Sequence, residues 1–534
     1  MSDTLERNAN RFVRPLPPNP NLEKQRKLAK ALARNYWRGD LEAVERVRAL
    51  HPNPPAPQIF ALSDAQLVIA RGYGFASWPQ LKRKIESLTK SPAELFVAAV
   101  EMGDVDQVRR LLQSHGDLVS RINEPMFGFK SPAVHVARTN LDLLDLLLAH
   151  GADLNVRTSW EKGGFGVLEQ VTPEQAGPLV ARGARIDIWA AANLGMMAEL
   201  ATLIAGDPAL VHAKGGDGKR PLHFARTVGI ARHLLEHGAA IDALDDDHDS
   251  TPAQHLIGDR PDVAGFLVSK EARCDLLLAA ALGDLDLVRN HLDTDPGSIA
   301  MRVDQDWFPM IDTAANGGHI YQWTLGFHVS AFDVARERGH NEVVELLLKR
   351  ASPLDRLLDA LWCGEEARAD AILAIDPQVI ERASGKALRQ VADAARNNKV
   401  ATVRAMLRRG FPVTALSQHG GTPLHWAAFH GNLDMLEQVL KHNPPIDARD
   451  RQFHGTPMDW LIHGALNPWG ISGGRHGECA RLLLDAGAQV DEASLFQLPT
   501  ISAPPMAPNS RSVKWDNPLH ITTLPGAGSL ARFR

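Results

Sequence analysis

The sequence predicts an all-α protein in which about fourteen helix pairs stack on one another, with short β-hairpin loops and one longer inserted hairpin. Three observations predict this fold class. The chain has 534 residues, which is longer than a single compact core usually holds. It is 44% hydrophobic and 23% charged, so it has enough apolar material to fold throughout. A short pattern also recurs along most of its length.

The recurring pattern is clearest near the C-terminus. GGTPLHWAAFHGNLDMLEQVLKHNPPIDARD begins at Gly420, and a second version, GTPMDWLIHGA, begins at Gly455. Their prolines, Pro423 and Pro457, are separated by close to the period of about 33 residues that is typical of one repeat class. Earlier versions begin at Ser131, Lys219 and Ser250.

Each part of the pattern has a mechanical reason. Pro423 fixes φ in the first turn of a helix, and the Thr422 hydroxyl is placed to cap that helix. Gly431 accepts the left-handed conformation that ends the helix, and Asn432 caps the next one. A helix pair of this size buries only one face, so it needs a neighbour on each side to become stable.

These residues resemble the ankyrin repeat family, whose signature is a TPLH turn, a short helix, a glycine turn, a Leu-rich second helix and a GAD-like exit into a β-hairpin loop. The resemblance covers roughly 93 to 491 and is strong because the signature recurs. A segment from Leu62, LSDAQLVIARGYGFASWPQLKRKIESL, is similar to one that opens many bacterial ankyrin proteins, which favours a bacterial source. GAD-like exits begin at Gly151, Gly183, Gly238 and Gly487.

Composition and pattern divide the chain into six regions. One inserted segment separates two blocks of repeats, and each end of the chain carries a segment outside them. The regions are a Pro-rich arm (1–21), a helical capping region (22–92), repeats (93–303), an inserted aromatic hairpin (304–330), repeats (331–491) and an irregular tail (492–534).

Two insertions in the repeats are the strongest candidates for function. The segment 304–330 places a turn signal at Asn316-Gly317-Gly318 between two aromatic, β-prone arms, which predicts a long hairpin. A second insertion covers 465–477. Because insertions in repeat proteins map to loops on one face, often the binding face, both are expected to meet on the concave side near Trp426 and Trp460.

We therefore predict that a protein partner binds at these aromatic, histidine and arginine side chains. Large aromatic residues are costly to leave in water unless they pack or bind something, and a plain packing role is the competing interpretation. The family resemblance implies a recognition surface of hairpin tips and first-helix faces, which maps onto Trp426, Arg451, Phe453 and His454. The full predicted set is Trp307, His319, Tyr321, Trp323, His328, Trp426, Arg451, Phe453, His454, Trp460, Trp469 and His476.

No motif points to catalysis, a metal or a cofactor. The chain has 22 histidines but lacks HExxH and paired CxxC, so we assign no metal ligand and no catalytic residue. Gly470-Ile471-Ser472-Gly473-Gly474 matches GxSxG but lies between helices, where a chance match is expected. The acidic run 242–249 lacks calcium-loop spacing and is expected to be a solvated tip. The resemblance implies that His223 and His425 bond within the turns between repeats.

Charge and cysteine content bound the partners and the compartment. Lys and Arg number 58 against 63 Asp and Glu, so the net charge of −5 predicts no nucleic-acid partner. No leader-like or membrane-spanning apolar run is present, and the three cysteines are far apart. We expect a cytoplasmic protein, with export by a route without a cleaved signal peptide as an open alternative.

The leading functional prediction is a non-enzymatic scaffold that mediates protein–protein interaction through its concave face and loops. One alternative is a small-molecule-binding or catalytic protein with a His/Trp-rich pocket between 304–330 and 465–477. Another is an exported bacterial effector on the same scaffold.

Overall fold

The computed structural model describes residues 11–17, 20–311, 317–466 and 474–489. The chain divides into two compact units, Met1–Ile186 and Asp187–Arg534. In both units the described residues form helices that follow one another in pairs, without a β-strand. The predicted all-α repeat fold is therefore confirmed. No described helix is long and apolar enough to cross a lipid bilayer.

The first unit contains helix pairs 1 to 5, numbered in chain order. In pair 5 the first member is a 3₁₀ turn instead of an α-helix. The pairs are Leu22–Trp37 with Leu41–Leu50, Leu62–Arg71 with Trp78–Thr89, Pro92–Glu101 with Val105–Ser114, Ala133–Ala137 with Leu141–Ala149, and Val167–Gln170 with Pro173–Val180.

The second unit contains pairs 6 to 14, so the described residues hold the number of pairs that the sequence predicts. The first member of pair 7 is again a 3₁₀ turn, and that of pair 12 is split in two. The pairs are Ile188–Leu194 with Met197–Gly206, Pro221–Phe224 with Val228–Glu236, Pro252–Leu256 with Pro261–Ser269, Leu276–Leu282 with Leu285–Thr294, Ala331–Glu337 with Asn341–Arg350, Pro353–Cys363 with Glu366–Ile375, Gly385–Leu388 and Gln390–Arg396 with Val400–Arg408, Pro423–Phe429 with Leu433–Leu440, and Pro457–Leu466 with His476–Asp485.

The glycine turns inside the pairs have the predicted geometry. Gly103, for example, has φ of 68°, and the Asp104 carboxylate accepts a hydrogen bond from the Gln107 N–H at the start of the second helix. Gly431 has φ of 58°, and Asn432 accepts from Met435 N–H in the same way. A residue other than glycine would be strained at the first position, and a residue without a side-chain acceptor would leave the helix start uncapped.

The apolar core runs through each unit along the inner faces of the helices. In the first unit, Val47, Val68, Ile69 and Leu81 are fully buried between pairs 1 and 2. In the second unit, a continuous cluster extends through pairs 11 to 14, from the fully buried Leu357 to the fully buried Leu483. Alanines in the first helices let neighbouring pairs approach closely, as the sequence pattern predicts.

The inserted segment 304–330 differs from the predicted long hairpin. An isolated bridge between Arg302 and Ser330 closes its two ends, but no strand follows it on either side in the described residues. Instead, Tyr321–Thr324 forms a short helix. The reason is tertiary packing, because Tyr321 is completely buried and the β-propensity of its neighbours does not decide the backbone. Asn316 of the predicted turn lies outside the described residues, as do most of 465–477, the tail 492–534 and most of the arm 1–21.

Candidate functional site

Several of the turns that precede first helices are joined by a backbone hydrogen bond to the next such turn along the chain. We call these turns tips. In the second unit, the Asp246 N–H of the pair 8 tip donates to the Asp217 carbonyl of the pair 7 tip at 2.8 Å. The Gln452 N–H of the pair 14 tip likewise donates to the His419 carbonyl of the pair 13 tip at 3.1 Å. Neighbouring tips are therefore held in register by their backbones.

The tips also share an unusual backbone conformation. Asp217 has φ of 58° and His419 has φ of 62°, the left-handed region that non-glycine residues seldom adopt. In the first unit, Phe129 has φ of 54° in the same place, and the neighbouring Lys130 carbonyl accepts from the Ser159 N–H. Each tip is thus a tight turn rather than a pair of short strands, which corrects the predicted β-hairpin loops for the described residues.

Buried histidines link the first helices of pairs 7 and 13 to the following tips, as the family resemblance implies. The His425 Nδ1 atom accepts from the Thr422 N–H and from its hydroxyl, and Nε2 lies 3.2 Å from the Gly455 carbonyl. His223 repeats this with Arg220 N–H and the Ser250 carbonyl. Burial lowers the pKa of His223 to about 3, so the ring is neutral. The Thr422 hydroxyl therefore bonds the ring instead of capping the helix as predicted.

An aspartate in the next tip completes this link. Asp450 accepts hydrogen bonds from the Gly455 N–H and from the Trp460 indole N–H, both through Oδ2. In the earlier copy Asp245 takes the place of Asp450, and its Oδ1 lies 3.2 Å from His255 Nε2. Burial alone would raise the pKa of Asp245, but the His255 and His248 rings and a backbone N–H lower it overall. His223, Asp245 and His255 are residue types that bind metals, and they lie close together. They nevertheless occupy the same positions in their repeats as the structural network around Asp450.

The acidic run 242–249 differs in part from the solvated tip that the sequence predicts. Asp245 and Asp247 are buried, with 2% and 6% of their surface exposed, so the predicted solvated tip is wrong for these two residues. Asp242, Asp246 and Asp249 are partly exposed, and Lys214 Nζ lies 2.8 Å from Asp246 Oδ1. The tight turn leaves several backbone N–H groups without a backbone partner. A buried carboxylate stabilises the turn because it accepts hydrogen bonds from these groups.

The inserted segment is anchored to pairs 8 and 9 at its C-terminal half. The Tyr321 hydroxyl donates to Asp275 Oδ2 at 2.9 Å, and Asp275 is also the N-cap of the first helix of pair 9. The Ile320 N–H donates to Ser250 Oγ at 3.2 Å. His319 is buried against Phe308, and burial lowers its pKa to about 4. These buried contacts hold the C-terminal half of the segment against pairs 8 and 9.

The other half of the segment is anchored to pair 12. The Arg389 guanidinium donates to Asp304 Oδ2 and to Asp306 Oδ2, both at 2.8 Å. The buried His328 ring lies 3.3 Å from Asp393 Oδ1. Burial raises the pKa of Asp393 to about 6, and burial together with three arginines lowers the pKa of His328 well below its usual range. The side chains therefore form a compact charge network between the segment and the first helix of pair 12.

This network lines a cleft of about 190 Å³. Trp307, Arg302 and Lys386 lie on its walls together with Asp304, Arg389 and Asp393. Within the cleft, Arg389 already bonds to the acidic groups Asp304, Asp306 and Asp393. It lies between the 304–330 segment and pairs 10 to 12, and the predicted pocket between 304–330 and 465–477 involves residues outside the described part of the chain.

The predicted aromatic residues of pairs 13 and 14 form one packed cluster. The Trp426 and Trp460 ring centroids are 4.8 Å apart in an edge-to-face arrangement, and both rings are buried. Phe429 packs against both rings. The Arg396 guanidinium connects this cluster to the inserted segment, because it lies 3.1 Å from the Phe327 ring centroid and 5.6 Å from that of Trp426. Both tryptophans therefore pack in the interior of pairs 13 and 14.

The twelve predicted site residues divide by exposure. Those in the interior cannot contact a partner in this conformation: His319, Tyr321, His328, Trp426 and Trp460 are buried. Trp323, Arg451 and His454 are exposed, and Trp307, Phe453 and His476 are half-buried. His476 Nε2 lies 3.0 Å from the Phe429 carbonyl, and Trp469 lies outside the described residues.

Sequence reasoning missed three charged residues of pair 12 that organise the cleft and the cluster. Arg389, Asp393 and Arg396 come from a repeat that matches the family signature poorly. Their spacing was the available signal, since steps of four and three residues place side chains on one helical face. A charged face on a first helix, where the other repeats carry alanines, indicates that something polar lies against it.

Two stretches of the chain match models of known repeat families. Residues 391–494 match a model described as ankyrin repeats in three copies, and they cover most of pairs 12 to 14. Residues 217–246 match a model described as an ankyrin repeat, and they cover pair 7. These matches coincide with the helix pairs, the TPLH histidine links and the bonded tips described above. The chain therefore contains ankyrin repeats in these two stretches.

Proposed function

We propose that this protein is a scaffold that binds another protein through its repeat tips and through the outer surface of the 304–330 segment. Ankyrin repeats are generally protein–protein interaction modules. The observation that carries the proposal is the backbone bonding between consecutive tips, such as Gln452 to His419. A surface that is ordered before binding loses less conformational entropy when the partner arrives.

The exposed side chains on this surface have the chemistry of interface anchors. Trp323 is 51% exposed, and its indole N–H donates to the Gly317 carbonyl, which limits the motion of the ring. Ile311, on the same segment, is 74% exposed. Arg451 and His454 lie exposed on the tip of pair 14. Tryptophan and arginine are enriched among residues that dominate binding energy, so Trp323 and Arg451 are the proposed main contacts.

The proposal assigns no catalytic residue. All three cysteines are free thiols, and burial raises the pKa of each to about 12, which makes them poor nucleophiles. The buried His223 and His425 rings are occupied by backbone hydrogen bonds. These groups serve the fold, which supports a binding role over a chemical one.

The test compares surface variants in a capture experiment with the full-length chain. Trp323→Ala and the double variant Arg451→Ala/His454→Ala are compared with wild type, and Lys349→Ala, an exposed change on a second helix, is the matched control. We expect the amount of specifically captured and cross-linked protein to fall about tenfold or more in both surface variants and to stay unchanged in the control. Equal capture by all four folded proteins would refute the proposed surface.

A small-molecule role is the second candidate, and the cleft beside Trp307 supports it. A carboxyl with a pKa raised to about 6, such as Asp393, is uncommon outside functional sites. However, about 190 Å³ is below the volume of typical ligand pockets. Thermal-shift screening of metabolites against wild type and Trp307→Ala distinguishes the two roles, because only a cleft ligand gives a shift that the variant loses.

The proposed setting is the cytoplasm of a bacterium. Three unpaired thiols fit a reducing compartment, and the segment from Leu62 is similar to one that opens many bacterial ankyrin proteins. Fractionation of source cells tests this location, and appearance of the full-length chain in the culture medium would favour the exported-effector alternative.

A further inference from the structure

The tips of pairs 7 and 8 bring two carboxylates and one imidazole together beneath the inserted segment. We refer to Asp217, Asp247 and His248 as the tip cluster. Each residue offers one ligand atom, and these atoms all lie within 4.8 Å of one another. All three residues are more than nine-tenths buried. We propose that the tip cluster is a binding site for a divalent transition-metal ion, with Zn²⁺ as the best-matched ion.

The ring of His248 is oriented as a metal ligand would be. Its Nδ1 atom lies 2.7 Å from the carbonyl oxygen of Gly318, which can only accept, so Nδ1 carries the hydrogen. In the neutral ring, Nε2 is then a lone pair. Histidines that bind metals characteristically donate the other ring N–H to a backbone carbonyl or carboxylate, which fixes the tautomer and the ring orientation.

The Nε2 lone pair faces both carboxylates across a gap. It lies 3.9 Å from Asp217 Oδ2 and 3.7 Å from Asp247 Oδ2. These distances are too long for hydrogen bonds. The two carboxylates repel each other, and a cation placed between them and the Nε2 atom of the neutral ring offsets that repulsion. Bonds of about 2.0 to 2.2 Å to nitrogen and oxygen span gaps of this size after a small side-chain movement.

The donor set selects the class of ion. One imidazole nitrogen with two carboxylate oxygens suits Zn²⁺ and its first-row neighbours, whereas Mg²⁺ and Ca²⁺ prefer oxygen ligands alone. Three protein ligands leave the fourth position of a tetrahedral zinc for water or another group. Lys219 Nζ lies 3.1 Å from Asp217 Oδ2, so the ion competes with this ammonium group and the site binds more weakly than one without it.

The site is built by parts of the chain that are distant in sequence. The backbone bond from Asp246 to Asp217 aligns the two tips, and Gly317 closes the cluster from the inserted segment. A Cβ atom at Gly317 would lie 2.5 Å from Asp247 Oδ2, so only glycine permits this approach. The neighbouring group around Asp245 differs, because both ring nitrogens of His223 are engaged with backbone groups there. A bound ion would therefore fasten the segment to the tips.

The experiment titrates untagged, chelator-stripped full-length protein with ZnCl₂ and measures binding by calorimetry and the metal content after gel filtration. We expect wild type to hold zinc with an affinity that falls about tenfold or more in His248→Gln and in Asp247→Asn. His237→Gln, a change at an exposed histidine of pair 7, is the matched control and keeps wild-type affinity. Folding of each variant is checked by circular dichroism.

A second readout does not depend on the variants. In wild type, the ¹⁵N resonance of His248 Nε2 is expected to move from the neutral lone-pair range to the metal-bound range on addition of ZnCl₂. A ring that is doubly protonated at neutral pH and unaffected by zinc would identify the cluster as an ion pair and overturn the proposal. Zinc binding that is the same in wild type, His248→Gln and Asp247→Asn would also overturn it.

Discussion

Trp460 donates its indole N–H to the buried carboxylate of Asp450 at 2.9 Å, across the turn that separates pairs 13 and 14. In the equivalent place of pairs 7 and 8, His255 approaches Asp245. The repeats thus keep a ring-to-carboxylate contact while the ring itself changes. Since Asp450 also holds the backbone of its tip, the contact couples the helix to the loop that precedes it.

Trp460→Phe is expected to lower the free energy of unfolding by about 2 kcal/mol. Phenylalanine still fills most of the space of the indole ring, but the buried Asp450 carboxylate loses a hydrogen-bond donor. Urea unfolding followed by circular dichroism measures this change. Trp323→Phe is the control, since its indole bonds at the surface, and should change the value by less than about 0.5 kcal/mol. Equal effects of the two substitutions would mean that the Asp450 bond contributes little.

Gly464 permits a close approach between pairs 13 and 14. A Cβ atom at this position would lie 2.0 Å from the carbonyl oxygen of Phe429. Gly464→Ala must therefore separate the two helices and is expected to destabilise the second unit by about 2 kcal/mol or more, measured as a shift of the urea midpoint.

The matched control is Gly177→Ala, another glycine inside a helix, whose Cβ would meet nothing within 4 Å. There the better helix propensity of alanine should stabilise the helix by up to about 1 kcal/mol. A stabilised Gly464→Ala variant would show that the approach of the two helices is not as close as described.

Acid should weaken the second unit through His223. The folded ring has a pKa of about 3 against an ordinary value of 6.5, so the unfolded chain binds the proton more readily. The stabilisation is present above pH 6.5 and is lost as the pH falls towards 3. Between pH 7.5 and pH 5, this one histidine is expected to lower the free energy of unfolding by about 2 kcal/mol. His223→Gln should lose that share of the difference between urea midpoints at pH 7.5 and pH 5, and an unchanged difference would contradict the prediction.

The Arg396 guanidinium should couple the inserted segment to the first helix of pair 12. It is buried, which lowers its pKa to about 9, and it lies against the face of Phe327. A double-mutant cycle with Arg396→Met and Phe327→Leu is expected to give a coupling energy of about 1 kcal/mol or more. Additive effects of the two substitutions would indicate that the segment and the helix are stabilised independently.

The sequence predicted the parts of the fold that are set by local chemistry. Proline and glycine at fixed offsets determine where a helix begins and ends, so the pairs around Pro423 and Gly431 followed from their spacing alone. The linking role of His425 followed from the family resemblance. The number of pairs was also predictable, because every pair carries its own signals.

The inserted segment could not be predicted in the same way. The aromatic residues around Tyr321 favour a strand locally, but the hydroxyl reaches Asp275, which lies far away in the sequence. The burial of Asp245 and Asp247 depends on neighbouring tips and on Gly317, and no local pattern reveals it. Contacts between distant residues decide both cases, and a periodic pattern contains no information about them.

The path of the 304–330 segment has a consequence for how the second unit denatures. Arrays of repeats normally have only nearest-neighbour contacts, so they can unzip from one end. Here one segment joins Asp275 of pair 9 to Arg389 of pair 12, which makes the intervening pairs a single cooperative block. Loss of the terminal pairs by fraying should therefore stop at pair 12.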